Sequence, residues 1–278
     1  MNELIKKAIK EDLGSGDITT NCLVPKTLRA EAVLIAKEKG VIAGLETAKA
    51  VFRYIDAKIR FIPLKKDGAA VKKGEIFARI KGPARGVLSG ERLALNYLQR
   101  LSGISTLTSK FTELCSGTGA KILDTRKTTP NLRALEKYAV KMGGGTNHRM
   151  GLYDAILIKD NHLIAEPDIK KAVEKAKKTG KPVEVEVKNF SELKEALRAM
   201  PNRILLDNMT EKKLRKAVKI TKEHTNRSGK RIFLEASGGV SLNNIRKIAK
   251  TGVDYISVGA LTHSPKALDI SLEVTKCR

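Results

Sequence analysis

The chain has 278 residues, 41% hydrophobic and 30% charged, a composition that describes a soluble globular protein with material for a sizeable core. Lys and Arg number 54 against 30 Asp and Glu, a net charge of +24, yet aromatics make up only 4% and Trp is absent; few base-stacking platforms exist, so a basic surface that draws in small polyanions is a better account than a nucleic-acid binder. No apolar run nears the roughly 18 residues of a membrane span, and Cys22, Cys115 and Cys277 have neither zinc-ligand nor disulfide spacing, as expected in a reducing cytoplasm.

The opening MNELIKKAIKEDLG places Leu4, Ile5, Ala8 and Ile9 at helical spacing and predicts an amphipathic helix, not a signal peptide. In the turn-rich EDLGSGDITT that follows, Asp17 or Thr19 is placed to cap the next element. AEAVLIAKEKGVIAG and IRFIPLKKDGAAVKKGEIFARIKGPARG read as short strands punctuated by Lys-Gly and Asp-Gly turns, with ETAKAVFRYI as a helix across them. SGERLALNYLQRLSGIST supplies a long helix carrying Leu93, Leu95, Leu98 and Leu101, with a stop predicted at Gly103. Residues 1–103 thus form a predicted first domain.

Residues 104–264 change character. Six apolar runs, ILDTR, AILIKD, VEVEVK, ILLDN, IFLEASGG and YISVGA, mostly alternate with Lys-rich amphipathic stretches such as DIKKAVEKAKKTGK. Strand–helix alternation predicts a parallel sheet, and six strands where a full barrel has eight predict an irregular or incomplete parallel α/β barrel. The tail, residues 265–278, is expected to pack back on the first domain.

In a parallel barrel, chemistry gathers at the carboxyl ends of the strands, which makes Arg126, Lys159, Glu186, Asp207 and Glu235 candidates. LDTRKTTP combines the fork of Arg126, the point charge of Lys127 and the hydroxyls of Thr128 and Thr129, a set suited to carboxylates or phosphates and also compatible with a strand-end salt bridge. In KMGGGTNHRMGLYDAILIKDNHL, the run Gly143–Gly145 marks a backbone that bends or approaches something closely; His148 and Arg149 follow, then Lys159, Asp160, Asn161 and His162. Glu186 and Asp207 end successive strands and could hold Mg²⁺ through water, grip ribose hydroxyls, stabilise a developing cation or merely neutralise neighbouring cations. Gly238 and Gly239, and Gly259 and Ala260, put small residues after two late strands, where backbone N–H groups bind phosphate or simply make tight turns.

EDLGSGDITT, GERLALNYLQRLSGIST, LDTRKTTP, GGGTNHRMGLYDAILIKDNH, VEVEV, LLDNM, LEASGGV and VGALTHS together resemble the quinolinate phosphoribosyltransferases, or carboxylating nicotinate-nucleotide pyrophosphorylases, over nearly the whole chain. The resemblance implies an N-terminal open-faced α/β sandwich domain and an irregular α/β barrel, paired in a homodimer with shared active sites or in a higher oligomer. It implies the making of nicotinate mononucleotide, carbon dioxide and pyrophosphate from quinolinate and phosphoribosyl pyrophosphate in de novo NAD synthesis, with Mg²⁺ accompanying the latter. By the same resemblance Arg126, His148, Arg149 and Lys159 surround the quinolinate carboxylates, Lys127 faces the pyrophosphate, and Arg92 reaches a neighbouring subunit's site. Glu186 and Asp207 handle ribose and Mg²⁺, directly or through water, and Ser237, Gly238, Gly259 and His263 cradle the 5′-phosphate. Lys127, Lys159, Glu186 and Asp207 are the implied catalytic set. A molybdenum-transport-associated paralogue shares the N-terminal signature, but LDTRKTTP and LIKDNH favour the quinolinate enzyme. A basic RNA-binding or scaffold protein is the reading from another class.

Overall fold

A computed structural model describes residues 2–278. The chain forms two compact units: one takes the residues up to Ser109 with Thr129–Gly144 and Ser264–Arg278, the other Lys110–Thr128 and Gly145–His263. In chain order the elements begin with α1 (Asn2–Leu13), α2 (Ile18–Leu23), β1 (Arg29–Ala36), β2 (Gly40–Val41) and α3 (Leu45–Ile55). They continue with β3 (Arg60–Pro63), β4 (Ala70–Val71), β5 (Ile76–Pro83), α4 (Ala84–Cys115), β6 (Lys121–Leu123) and α5 (Arg133–Met142). Next come β7 (Ile156–Ile158), α6 (Asp160–Ala165), α7 (Ile169–Lys177), β8 (Val183–Val187), α8 (Phe190–Ala199) and β9 (Arg203–Asp207). The last are α9 (Glu211–Ser228), β10 (Phe233–Ser237), α10 (Ile245–Ala249), β11 (Tyr255–Ser257), α11 (Ala260–His263) and β12 (Ile270–Cys277).

The first unit is an antiparallel sheet in the order β12-β1-β5-β3, with the C-terminal tail supplying β12 against β1. Leu34 of β1, Phe77 and Ile80 of β5, Phe52 of α3 and Leu98 of α4 are fully buried in one apolar cluster. Each such side chain contributes about 1.5–3 kcal/mol.

Two features differ from expectation. The helix predicted to stop at Gly103 continues to Cys115. Gly103 is there for close approach, since a Cβ would lie 2.2 Å from the Lys266 carbonyl oxygen. Residues 129–144, read from sequence as part of the barrel domain, group with the first unit. The buried Glu136 of α5 accepts from Arg100 at 2.8 Å and from the Thr129 N–H at 3.1 Å, and Tyr138 donates to Asp67 at 2.8 Å. Gly143, first of the glycine run, abuts α4, where a Cβ would meet the Ser105 carbonyl at 2.3 Å.

The second unit is a parallel sheet of six strands in the order β6-β11-β10-β9-β8-β7, one from each of the six apolar runs. Its first strand pairs with its last, β6 with β11, a cyclic order that an open doubly wound sheet would not have. Among the described residues β6 and β7 share no ladder, and Leu123 instead bridges Thr146. Asp168, Asn189 and Thr210 cap α7, α8 and α9 by accepting from the N–H groups of Lys171, Glu192 and Lys213. In VEVEV the period of two sends Glu184 and Glu186 to one face and Val183, Val185 and Val187 to the other. Pairing puts Glu184 beside Arg203, Glu186 beside Leu205, and Leu205 beside Glu235, so one face of the sheet is unusually charged. No helix among the described residues is long and apolar enough to cross a membrane.

Candidate active site

At the carboxyl ends of these strands lies a cavity of about 590 Å³ lined by Arg126, Lys127, His148, Arg149, Lys159, Glu186, Asp207, Ser237, Gly238, Gly259 and His263. Eleven of the twelve binding residues that the resemblance implies therefore share one space, which the strand-end candidate Glu235 also lines. The twelfth, Arg92, is exposed on α4 of the first unit and does not line it.

The cations occupy separate anchors. The loop after β6 is tied down where the Lys127 N–H donates to Thr125 Oγ1 at 3.1 Å and the Lys127 carbonyl accepts from Thr262 Oγ1 at 2.8 Å. Among the described residues Arg126 Nε is buried without a hydrogen-bond partner, a donor suited to an anionic ligand. Arg149 donates from Nη1 to the Ala155 carbonyl at 3.1 Å; burial, and then the nearby Arg126 charge, lower its pKa from the usual guanidinium value. Two guanidiniums in one cavity favour an anion between them. Lys159 is the N-cap of α6; its N–H donates to His162 Nδ1 at 3.0 Å, which gives the KDNH motif a local structural purpose, and its Nζ is 3.7 Å from Glu186 Oε2.

The acids face them. Burial, chiefly, raises the Glu186 pKa; Lys159 opposes that shift and Asp207 adds to it. Asp207 Oδ2 accepts from Asn208 Nδ2 at 2.9 Å, and Asn208 adopts a left-handed backbone with φ 51°. The neighbouring Gly238 has φ 95°, and a Cβ on it would come within 2.1 Å of Asn208 Oδ1, so that turn requires glycine for both conformation and space. Two hard carboxylates lining one cavity with Lys127 are the donor set with which Mg²⁺ is commonly held alongside substrate phosphates, so the residues fit that ion.

Beneath the cations is a buried cluster. His148 Nε2 lies 2.8 Å from Glu184 Oε2 and 3.5 Å from Glu235 Oε2, and Arg203 Nη1 lies 2.8 Å from Glu235 Oε2. Burial and then the Glu184 charge push the Glu235 pKa up to about 7, and burial likewise raises Glu184. One guanidinium beside two carboxylates and an imidazole is best balanced when the acids share a proton. Ligand atoms of His148, Glu184 and Glu235 lie within 4.8 Å of one another, the composition of a metal site. Arg203 already supplies the positive charge there.

Family models match both parts of the chain: the quinolinate phosphoribosyl transferase N-terminal domain over residues 17–102 and the C-terminal domain over residues 104–273. The chain belongs to the quinolinate phosphoribosyltransferase family. It is 43% identical over 278 residues to a probable carboxylating nicotinate-nucleotide pyrophosphorylase of Bacillus subtilis, covering 99% of this chain and 93% of that protein. The crystal structure of NadC from Streptococcus pyogenes superposes with a TM-score of 0.93 at 39% identity, covering 100% of this chain and 96% of that one. The nicotinate-nucleotide pyrophosphorylase of Francisella tularensis gives 0.91 at 41% identity, over 99% and 95% of the two chains.

Several residues in and around this cavity of the phosphoribosyltransferase-family chain escaped the sequence reading. Asp124, fully buried at the end of β6, accepts from the His148 N–H at 2.8 Å and from Asn147 Nδ2 at 2.5 Å, which fixes the NHR segment. Asp154 accepts from the N–H groups of Met150 and Gly151 at 2.6 and 2.9 Å and shapes the following loop. Glu184 was legible in principle, since it shares the parity of Glu186 in VEVEV. Arg203, Asn208 and Asp154 carried no comparable local signal.

Proposed function

We propose that this cavity transfers the phosphoribosyl group of phosphoribosyl pyrophosphate to the ring nitrogen of quinolinate with loss of carbon dioxide, giving nicotinate mononucleotide and pyrophosphate in de novo NAD synthesis. The observation that carries the reading is the opposition, in one space, of Arg126, Arg149 and Lys159 to Glu186 and Asp207. Quinolinate brings two carboxylates and the sugar donor several phosphate charges, and such anions meet only among paired cations.

Arg126, Arg149 and Lys159 take the ring carboxylates, and Lys127 takes the pyrophosphate. Ser237, His263 and the backbone N–H groups of Gly238 and Gly259 hold the 5′-phosphate. Glu186 and Asp207 grip the ribose and, directly or through water, would hold Mg²⁺, which when bound neutralises phosphate charge. The bond from the ribose C1′ to pyrophosphate breaks with its electron pair on the leaving oxygen, and the oxocarbenium-like sugar develops beside Glu186 and Asp207. The ring nitrogen lone pair then forms the new bond to C1′. The nitrogen, now cationic, stabilises the pair left on C2 when the adjacent carboxylate departs as carbon dioxide, and a proton completes C2. Positioning and electrostatics supply the acceleration.

Pyrophosphate release that depends on quinolinate tests the reading. Nicotinate, lacking one carboxylate, should be a poor substrate because it leaves cations unpaired; comparable turnover with it refutes the assignment. A cytoplasmic homodimer is part of the proposal, with Arg92 serving the partner's cavity. Mixing Arg92→Ala with Lys159→Ala should then restore activity in hybrid dimers, and no recovery after verified subunit exchange rejects it.

A further inference from the structure

Both ring nitrogens of His148 are committed inside the protein. Nδ1 accepts from the Arg149 backbone N–H at 2.7 Å, which puts the imidazole proton on Nε2, and Nε2 donates to Glu184 Oε2 at 2.8 Å. Glu184 is 6% exposed and Glu235 0% exposed. Arg203, paired with Glu235 at 2.8 Å and 3.9 Å from Glu184, stacks its guanidinium 4.3 Å from the centre of the Tyr255 ring. These side chains come from neighbouring strands of known register, Glu184 opposite Arg203 and Glu235 one strand beyond, so backbone pairing fixes their spacing. On its other side the segment is held by Asp124, which accepts the His148 N–H at 2.8 Å.

An imidazole bound at both nitrogens has no lone pair or N–H left for a ligand carboxylate. What it can do is set the direction of the residue bonded to it, Arg149, whose own N–H rests on the ring. We propose that Glu184 and Arg203 are positioning residues for recognition of the ring diacid: acting through His148 as a strut, they aim Arg149 at a carboxylate while touching no substrate themselves. This rests on the reading that Arg149 binds quinolinate. It changes the role of His148, from a group donating to quinolinate to one that orients the group that does.

The experiment compares Glu184→Met, which removes the acceptor at similar volume, with Glu184→Gln, which keeps an acceptor oxygen, and runs Arg149→Ala in parallel. KM for quinolinate, KM for phosphoribosyl pyrophosphate and kcat are measured, with urea midpoints to verify folding. Glu184→Met should raise the quinolinate KM roughly ten- to a hundredfold, leave the other KM within about twofold, and be largely rescued in Glu184→Gln, as expected when a binding group loses its aim. An unchanged quinolinate KM in folded Glu184→Met, or an equal rise in both KM values, overturns the proposal while a weakened Arg149→Ala leaves the site reading standing. If Arg149→Ala binds quinolinate normally, the site reading fails and this inference with it. Should Glu184→Met not fold, ¹⁵N-histidine NMR of the wild-type enzyme still decides, because the chain has only four histidines and His148→Asn assigns the signal. A proton on Nε2, kept when quinolinate is added, supports the strut; a proton on Nδ1, or a tautomer change on binding, overturns it.

Discussion

The core behind the first unit's sheet and the interior of the barrel are both closed to water, but they are built from opposite chemistry. The former is Leu34, Phe52, Phe77, Ile80 and Leu98. The latter buries Asp124, Glu184 and Glu235 and sets Glu184 against His148 and Glu235 against Arg203. Apolar burial stabilises wherever it occurs, whereas buried ions rarely stabilise more than a well-packed apolar equivalent would. A barrel that carries them is spending stability on the orientation of groups at its mouth.

The largest expected effect tests that difference directly. Phe52→Ala should destabilise by about 3–5 kcal/mol, with KM values unchanged in the folded fraction. Arg203→Met should cost a similar 3–5 kcal/mol or so by leaving two carboxylates without their guanidinium. Adding Glu235→Leu to Arg203→Met should then recover about 1–4 kcal/mol in urea unfolding without restoring quinolinate affinity. A double variant no more stable than Arg203→Met alone would break the comparison.

Acidity separates the two interiors next. Glu235 has its pKa pushed from 4.5 to about 7 by burial and by Glu184. As pH rises from 4.5 to 7 the folded protein keeps a proton that the unfolded chain has released, so stability falls across that window and the loss is complete above it. The slope corresponds to about 3 kcal/mol in all. Urea unfolding at pH 5 and pH 8 should show wild type losing that much relative to Glu235→Gln, and Phe52→Ala should follow the wild-type pH dependence unchanged. Parallel pH curves for wild type and Glu235→Gln would mean that Glu235 is ionised throughout.

At the mouth of the barrel the groups should fail in different ways. Lys159→Ala should weaken quinolinate binding, measured by calorimetry without the sugar donor, by about 1.5–3 kcal/mol, the worth of a charge-assisted contact. Asp207→Asn should leave that affinity nearly intact and lower kcat, since its charge is needed when the ribose turns cationic. The reverse pattern in folded proteins would reject the assigned roles.

The same contrast explains what the sequence made legible. All six barrel strands were readable because a parallel strand buried on both faces is an apolar run, and the functional charges interrupt it at the carboxyl end, as in ILIKD and ILLDN. Charges within or before a run, Glu184 and Arg203, were passed over because their partners lie on other strands and only register brings them together. Gly103 was misread for a related reason: glycine is locally a helix stop, and the carbonyl of Lys266 that demands it is 163 positions away in sequence, an offset (266 − 103) no local pattern records. The packing of α5 in the first unit depends likewise on Arg100–Glu136 and Asp67–Tyr138, pairs set by tertiary contact.

The smallest effect concerns the polar edge of the first unit. Asp17 caps α2, accepting from the Thr20 N–H at 2.9 Å and Thr20 Oγ1 at 2.5 Å, and it also accepts from Ser89 Oγ of α4 at 2.8 Å. The Thr20 hydroxyl first, then its N–H, then Ser89 hold the Asp17 carboxyl below its usual 3.8. Asp17→Ala should cost about 1 kcal/mol, and Asp17→Asn much less because asparagine caps about as well as aspartate. With its folded pKa depressed, the charge contributes fully above pH 3.8 and progressively less as pH falls through the folded value, so any gap between wild type and Asp17→Asn should close on acidification. This is opposite in sign to the Glu235 effect, where acid restores stability to a buried carboxyl. Thermal unfolding of both variants across pH 3 to 7 measures the two together, and a gap that widened in acid would show that the Asp17 contacts favour the protonated carboxyl.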